Sequence, residues 1–207
     1  MKKVSILLIL VICPSLLFGQ PETNQDNDDD EIQTLFGKGT KVTGFGAFDL
    51  KLTEIAGQTS LILGGSGGAI LNHKWIVGAG GYGIATNVDL EGQGSFQRLD
   101  LNAGYGGLIL GYMIAPREIV HVAIPVLVGA GGTDISSPIP SDQPIIIESG
   151  SFFVVEPGIQ AEVNITSWFR IGIGASYRIV EAFNSDYLRA SDLEGLTGNF
   201  ALKFGKF

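Results

Sequence analysis

The chain has 207 residues with 30 glycines, a single cysteine, and 21 acidic against 13 basic residues. Residues 1–19 hold Lys2, Lys3 and Cys13, so their removal leaves 11 bases against 21 acids, a formal charge of −10, and no thiol. Such a charge argues against nucleic acid as a partner, and a chain without thiols forms neither a disulfide nor a thiolate metal site.

Met1 to Gly19 has the layout of a secretory signal. Lys2 and Lys3 form a basic n-region, Val4 to Ile12 is an apolar run broken only by Ser5, and a cut falls between Gly19 and Gln20. A lipoprotein signal would use Cys13, but bulky Ile12 precedes it and the h-region would be short. Residues 20–39 then form an acidic tail carrying Glu22, Asp26, Asp28, Asp29, Asp30 and Glu31. Polar and densely charged, it is expected to be solvated on the periplasmic side. It lacks the Asp-x-Asp-x-Asp-Gly loop and closing acid of a calcium site.

Residues 40–207 read as one β domain. Eight extended runs follow, at about 42–54, 59–72, 74–87, 96–114, 119–133, 150–165, 168–182 and 196–206. Each meets the ~9–11 residues that a tilted strand needs to cross a bilayer. The connections alternate in length. Asn72-His73-Lys74, Ala115-Pro116-Arg117-Glu118 and Thr166-Ser167 are tight turns, whereas 54–58, 87–95, 134–149 and 183–195 are longer. Short turns on the periplasmic side and longer loops outside are the asymmetry of an outer-membrane barrel.

Strict alternation fixes faces by parity, because successive Cβ atoms of a strand point to opposite sides. Between Phe152 and Tyr177, Phe153, Val155, Ile159, Ala161 and Val163 oppose Glu156, Gln160, Glu162 and Asn164, and Phe169, Ile171 and Ile173 oppose Arg170. In the fifth run Val120, Val122, Ile124, Val126 and Val128 form an aliphatic row that leaves His121 on the other face. In the fourth, Leu99, Leu101, Ala103, Tyr105 and Ile109 are set against Arg98 and Asp100; in the first, Phe48, Leu50 and Leu52 against Asp49 and Lys51. With the apolar rows facing lipid, the expected interior set is Asp49, Lys51, Arg98, Asp100, His121, Glu156, Glu162, Arg170 and Arg178. Its signs are nearly balanced, as buried charges require. The glycine-rich second and third runs show no strong face.

The uncharged stretch Ile55 to Asn72, in a chain of mean hydropathy +0.30, invites a helical reading. Five of its residues are glycine, each costing about 1 kcal/mol in a helix interior, and the charged rows elsewhere would be costly on a lipid-exposed helix. A soluble sandwich or a secreted lipocalin-like carrier is the other alternative, with apolar residues turned inward.

With these runs and the ending Phe200-Ala201-Leu202-Lys203-Phe204-Gly205-Lys206-Phe207, the chain resembles the small eight-stranded outer-membrane β-barrels of the OmpA and OmpX kind, and more narrowly glycine-rich outer-membrane proteins of unassigned role. The resemblance implies a closed antiparallel eight-stranded transmembrane barrel in the outer membrane of a Gram-negative bacterium, a monomer among outer-membrane lipids. It also implies a C-terminal strand read by the barrel assembly machinery. Phe207 departs from the pattern: it is odd, whereas Phe200, Leu202 and Phe204 are even. Either a bulge at Gly205 resets the parity, or Phe207 lies beyond the strand.

The chemistry-bearing residues are few. A barrel enzyme that modifies lipid A would need a base within reach of a nucleophile on one strand face, and neither His73-Lys74-Trp75 nor His121-Val122-Ala123 supplies that spacing. Two histidines without cysteine suggest no zinc site, and no cofactor is expected. Trp75, Tyr112, Trp168 and Phe169 flank the tight turns and read as interfacial aromatics rather than a ligand-stacking platform. Ile145-Ile146-Ile147, in the loop 134–149, either packs within that loop, extends the wall or offers an edge to a partner. The resulting expectation is a structural or surface-interaction barrel with a filled interior, with a lipid A-modifying enzyme or a lipocalin-like carrier as alternatives.

Overall fold

A computed structural model describes residues 40–91, 98–137, 145–183 and 185–207, with backbone alone at Glu91 and Arg98. The expected acidic tail 20–39 and the expected signal 1–19 lie outside the described residues. Strands β1 (Val42–Ile55), β2 (Gln58–Leu71), β3 (Trp75–Ile84), β4 (Val88–Glu91), β5 (Arg98–Ile114), β6 (Val120–Ser137), β7 (Ile145–Asn164), β8 (Phe169–Glu181) and β9 (Gly195–Gly205) are joined by antiparallel ladders. The order is β3-β2-β1-β9-β8-β7-β6-β5-β4, and β3 also pairs with β5, which closes the sheet. β3 and β4 share one flank of β5, so the barrel has eight staves.

The third stave breaks at Ala85–Asn87, and side chains hold the seam. The Ala85 N–H donates to Leu61 O at 2.8 Å, and Leu61 N–H donates to Thr86 Oγ1 at 3.2 Å. The Gln58 side-chain amide donates to Asp89 O at 2.6 Å and accepts from Asp89 N–H at 3.3 Å, mimicking a ladder rung. A closed barrel thereby leaves few unpaired backbone groups at the break.

The β1–β2 connection shrinks to Ala56-Gly57, with φ of 49° and 75°. Two successive positive φ values are the mark of the hairpin turn whose twist matches the strands. Between β6 and β7 the expected loop 134–149 is largely strand: β6 runs on to Ser137, β7 starts at Ile145, and a bulge falls at Ile135/Ser136. β5, β6 and β7 have 17, 18 and 20 residues against 13 and 11 for β8 and β9, so one wall stands higher than the rest. Ile145 and Ile146 lie exposed at its upper edge.

Glycine permits this tight winding where strands come close. A Cβ on Gly129 would sit 2.6 Å from Gly107 Cα, its partner across the β5–β6 ladder. On the inner face Gly172 makes room for the Gln160 side chain, which would lie 2.7 Å from an added Cβ.

Parity follows one rule around the barrel, and it corrects one strand. The inward rows are odd in β1, β5, β6 and β9 and even in β2, β3, β7 and β8. In β5 this buries Leu99, Leu101, Tyr105, Ile109 and Met113 and turns Asp100 and Asn102 outward, the reverse of the sequence expectation. The physical reason is that the upper half of β5 rises where the outside is polar and the inside is a packed apolar core. Leu101 pairs with both Val88 and Ile135 there. The core is sealed by a single-turn helix α1 (Ala190–Leu193), which buries Leu193 and accepts a bond from the Ala56 N–H at Asp192 O, 2.8 Å. The outward row that meets the apolar zone is Leu108, Leu110, Tyr112 and Ile114.

Candidate functional site

Below the apolar cap the interior carries two polar layers set among buried Ile70, Ile76, Ile109, Met113 and Leu127. In the upper layer Lys51 Nζ lies 2.7 Å from Glu156 Oε1 and over the Tyr82 ring, 3.6 Å from its centroid. Glu156 also accepts from Tyr105 OH at 2.7 Å and Ser176 Oγ at 2.6 Å. Asp49 accepts from Ser66 Oγ at 2.7 Å and Tyr82 OH at 3.3 Å. Each carboxylate is thus surrounded by donors, the condition under which a buried charge persists.

The lower layer centres on Glu162, which is almost fully buried. Lys203 Nζ lies 2.5 Å from its Oε1, while His121 Nε2 and Arg170 Nη1 lie 3.1 and 3.7 Å from its Oε2. His121 and Glu162 are direct partners in the β6–β7 register. Arg178 stands apart, higher in the barrel, donating through Nε to Leu193 O at 2.6 Å and through Nη2 to Thr53 Oγ1 at 3.5 Å. Between the two layers a cavity of about 80 Å³ is lined by Asp49, Lys51, Glu156, Gln160, Asn199 and Lys203, among others. That is well below the ~300–1,000 Å³ of a small-molecule pocket, and an eight-stranded barrel leaves room for little more than side chains.

Of the residues expected inside, Asp49, Lys51, His121, Glu156, Glu162, Arg170 and Arg178 are buried there. Asp100 is not: it lies on the outward face of β5, opposite Asp89. The side chain of Arg98 lies outside the described residues. Ser176 joins the network from the face it shares with Arg170 and Arg178, while Tyr82, Tyr105, Ser66 and Lys203 join it unannounced by the sequence reading. The parity of Lys203, odd like that of Lys51 on the neighbouring strand, was the available signal.

At the tight-turn end Trp75 meets Tyr112 edge-on at 4.9 Å, and Trp168, Phe169 and Phe204 form a cluster with centroids 5.1–6.3 Å apart. Phe207 follows β9 without a bulge. Its odd parity carries it to the mouth, where its N–H donates to Ser167 O at 3.3 Å and its ring lies 3.8 Å from Arg170 Cζ. The two faces of the C-terminal segment therefore separate its aromatics: Phe200 and Phe204 outward, Phe207 across the opening.

No family model and no curated protein matches the chain. Solved structures do. A major outer membrane protein from Thermus thermophilus aligns with TM-score 0.51 at 8% identity, over 78% of this chain and 99% of that one. The N-terminal β-barrel domain of Pseudomonas aeruginosa OprF aligns with TM-score 0.46 at 11% identity, over 79% and 96%. Neisserial surface protein A gives 0.46 at 11%, over 82% and 99%. At such identities the likeness is one of fold, and the chain has the fold of the small eight-stranded outer-membrane β-barrels.

Proposed function

We propose that the chain is a monomeric barrel of a Gram-negative outer membrane, exported by residues 1–19, with a structural or surface-interaction role and no reaction of its own. The observation that carries this is the apolar zone on the outside of the lower barrel. Leu52, Val77, Leu108, Val128, Ile159 and Ile173, drawn from six different staves, are 45–66% exposed, and a continuous belt of this kind in water would be an aggregation surface. In a bilayer it is the lipid face, with the aromatic clusters at one edge. The carrier alternative requires the opposite arrangement, an apolar ligand cavity within.

The tall β5–β7 wall with Ile145 and Ile146 at its edge supports a role at the cell surface. For the lipid A-modifying alternative, His121 is the only buried histidine among the described residues, and it faces Glu162 inside the barrel, away from any lipid acyl chain. Outer-membrane lipids are then its surroundings, and the assembly machinery reads its last strand.

The test is fractionation combined with labelling. The protein is expected in outer membranes, with gel mobility that changes on boiling because closed barrels resist detergent. A cysteine at exposed Ser191, within α1, should react with an impermeant thiol reagent on intact cells, and one at Ser167 should not. Recovery as a soluble species would defeat the membrane assignment, and labelling at Ser167 alone would invert the barrel.

A further inference from the structure

The tight-turn mouth holds a positive charge that the interior network does not consume. Glu162 is a single carboxylate facing Lys203 and Arg170 as well as His121. Lys203 takes the closer contact. Arg170 is 5% exposed, its ion pair with Glu162 is long at 3.7 Å, and its other contacts are Met113 Sδ at 3.6 Å and the face of Phe207. Its Nε has no hydrogen-bond partner among the described residues. A buried guanidinium held by one long ion pair is costly unless a further acceptor at the mouth completes it.

Arg170 lines a recess of about 370 Å³ that opens at the mouth, together with His73, Arg117, Thr166, Ser167 and Phe207. A second recess of about 360 Å³ shares His73 and Arg117 with it and reaches Lys74. The exposed charged side chains of this rim among the described residues are Lys41, Lys74, Arg117 and Lys206 against Glu118. His73 is brought to the opening by a turn with positive φ at Asn72 and His73, closed by the Lys74 N–H to Leu71 O bond of 3.0 Å.

We propose that the tight-turn mouth is a binding site for a phosphate-bearing anion, with Arg170 as its buried anchor and Arg117, His73 and the Thr166 and Ser167 hydroxyls as its rim. A tetrahedral oxyanion accepts donors from several directions at once, which suits a guanidinium below and donors on two separate turns above. Phe207, stacked on the guanidinium, keeps the fork in place and excludes water from one face. Asn164 gives one of its two amide hydrogens to Glu118 O at 2.7 Å, and its Oδ1, buried without a partner among the described residues, is an acceptor that the anion does not use. In a membrane this opening lies at the level of the inner-leaflet headgroups, so the phosphate could belong to a phospholipid or to a soluble phosphoester. Only the lipid source rests on the membrane reading.

The experiment is an amide NMR titration of the protein folded in a phosphate-free non-ionic detergent, with inorganic phosphate and glycerol phosphate added at constant ionic strength. A parallel arm compares nanodiscs of phosphatidylglycerol with the detergent state. Saturable shifts confined to residues 72–74, 115–118, 164–170 and 207 are expected. Arg117→Gln, at an exposed position, should weaken binding by about tenfold, the worth of one charge-assisted hydrogen bond, and Arg170→Lys, which keeps the charge but loses the fork, by a similar factor. Lys41→Gln, on the same rim outside both recesses, should leave affinity within about twofold, as screened long-range charge contributes little. Response to the soluble phosphates assigns a soluble ligand, and response in the lipid arm alone assigns a headgroup. Absence of saturation in both arms overturns the proposal, as does equal weakening by Lys41→Gln and Arg117→Gln, which would mean diffuse attraction. Failure of the protein to enter detergent or nanodiscs as a heat-modifiable barrel would instead count against the membrane reading.

Discussion

At the loop end of the barrel Leu99, Leu101, Ile135 and Leu193 fill the inside, while Asn102, Asp134, Ser149 and Ser151 cover the outside. At the turn end Glu156, Glu162, Lys51 and Arg170 fill the inside, while Leu108, Leu110, Val128 and Ile173 cover the outside. The staves are continuous through both zones, so the geometry is shared and only the solvent differs. The upper zone is folded like a soluble protein, driven by apolar burial from water. The lower zone gains nothing by hiding leucine from an environment as apolar as leucine itself, and its interior adds charge pairing and hydrogen bonds to the packing of Ile70, Ile76, Met113 and Leu127. β5 records the switch along a single outward row: Asp100 and Asn102, then Gly104 and Gly106, then Leu108, Leu110, Tyr112 and Ile114.

The largest expected effect belongs to the lower zone. Glu156→Ala leaves Lys51 a buried cation without its ion-pair partner, and Tyr105 and Ser176 without their acceptor, and should cost about 3–5 kcal/mol, measured by urea unfolding in lipid vesicles. The double variant Lys51→Met with Glu156→Leu removes both charges and should recover most of that loss. A double variant no more stable than the single one would show that the pair is not the coupled unit drawn here.

The upper zone should answer to volume instead. Leu99→Ala empties a fully buried site and should cost about 2–5 kcal/mol, whereas Leu108→Ala, on the outward row of the same strand and 66% exposed, should cost far less. The opposite ranking would restore the face that the sequence first suggested for β5.

That first reading of β5 shows where sequence legibility ends. Parity was clear in β1, β6, β7 and β8, because each carries a charged or His-bearing row against an aliphatic one, and these strands placed Asp49, Lys51, His121, Glu156, Glu162, Arg170 and Arg178 inside. In β5 the alternation over 98–103 is just as clean, but it lies above the apolar belt, where polar means out. The pattern reports the contrast between two faces and not which solvent each one meets. Strands β2 and β3 were unreadable because glycine has no side chain to sort. Their faces are set by Ser60, Ile62, Ile76 and Tyr82, and Tyr82 is recognisable as interior only through its register with Tyr105. The height of the β6–β7 hairpin was hidden by Pro138, Pro140 and Pro144, which read as loop although strand resumes at Ile145.

Arginine scanning of the outer face sharpens the boundary between the zones. Ile173→Arg should cost roughly 2–4 kcal/mol if near the bilayer midplane, and Asn102→Arg should fall within about 0.5 kcal/mol, as for an ordinary surface site. Equal penalties at both would extend the lipid belt to the top of the wall.

Asp100 provides the smallest effect and the most selective one. Were it part of the interior charge set, Asp100→Asn would strip a buried partner from its neighbours and cost several kcal/mol. On the outer face, above the apolar belt and directly across from Asp89, its removal relieves a like-charge juxtaposition and takes away only solvated charge. The two contributions are each a few tenths of a kcal/mol, so stability should move by no more than about 0.5 kcal/mol in either direction, and raising the salt should shrink the difference further by screening. Unfolding of wild type and Asp100→Asn at two ionic strengths reads this directly. A loss above about 2 kcal/mol that persists in high salt, the scale of a broken buried pair, would return Asp100 to the interior, and with it the whole odd row of β5 to the lipid.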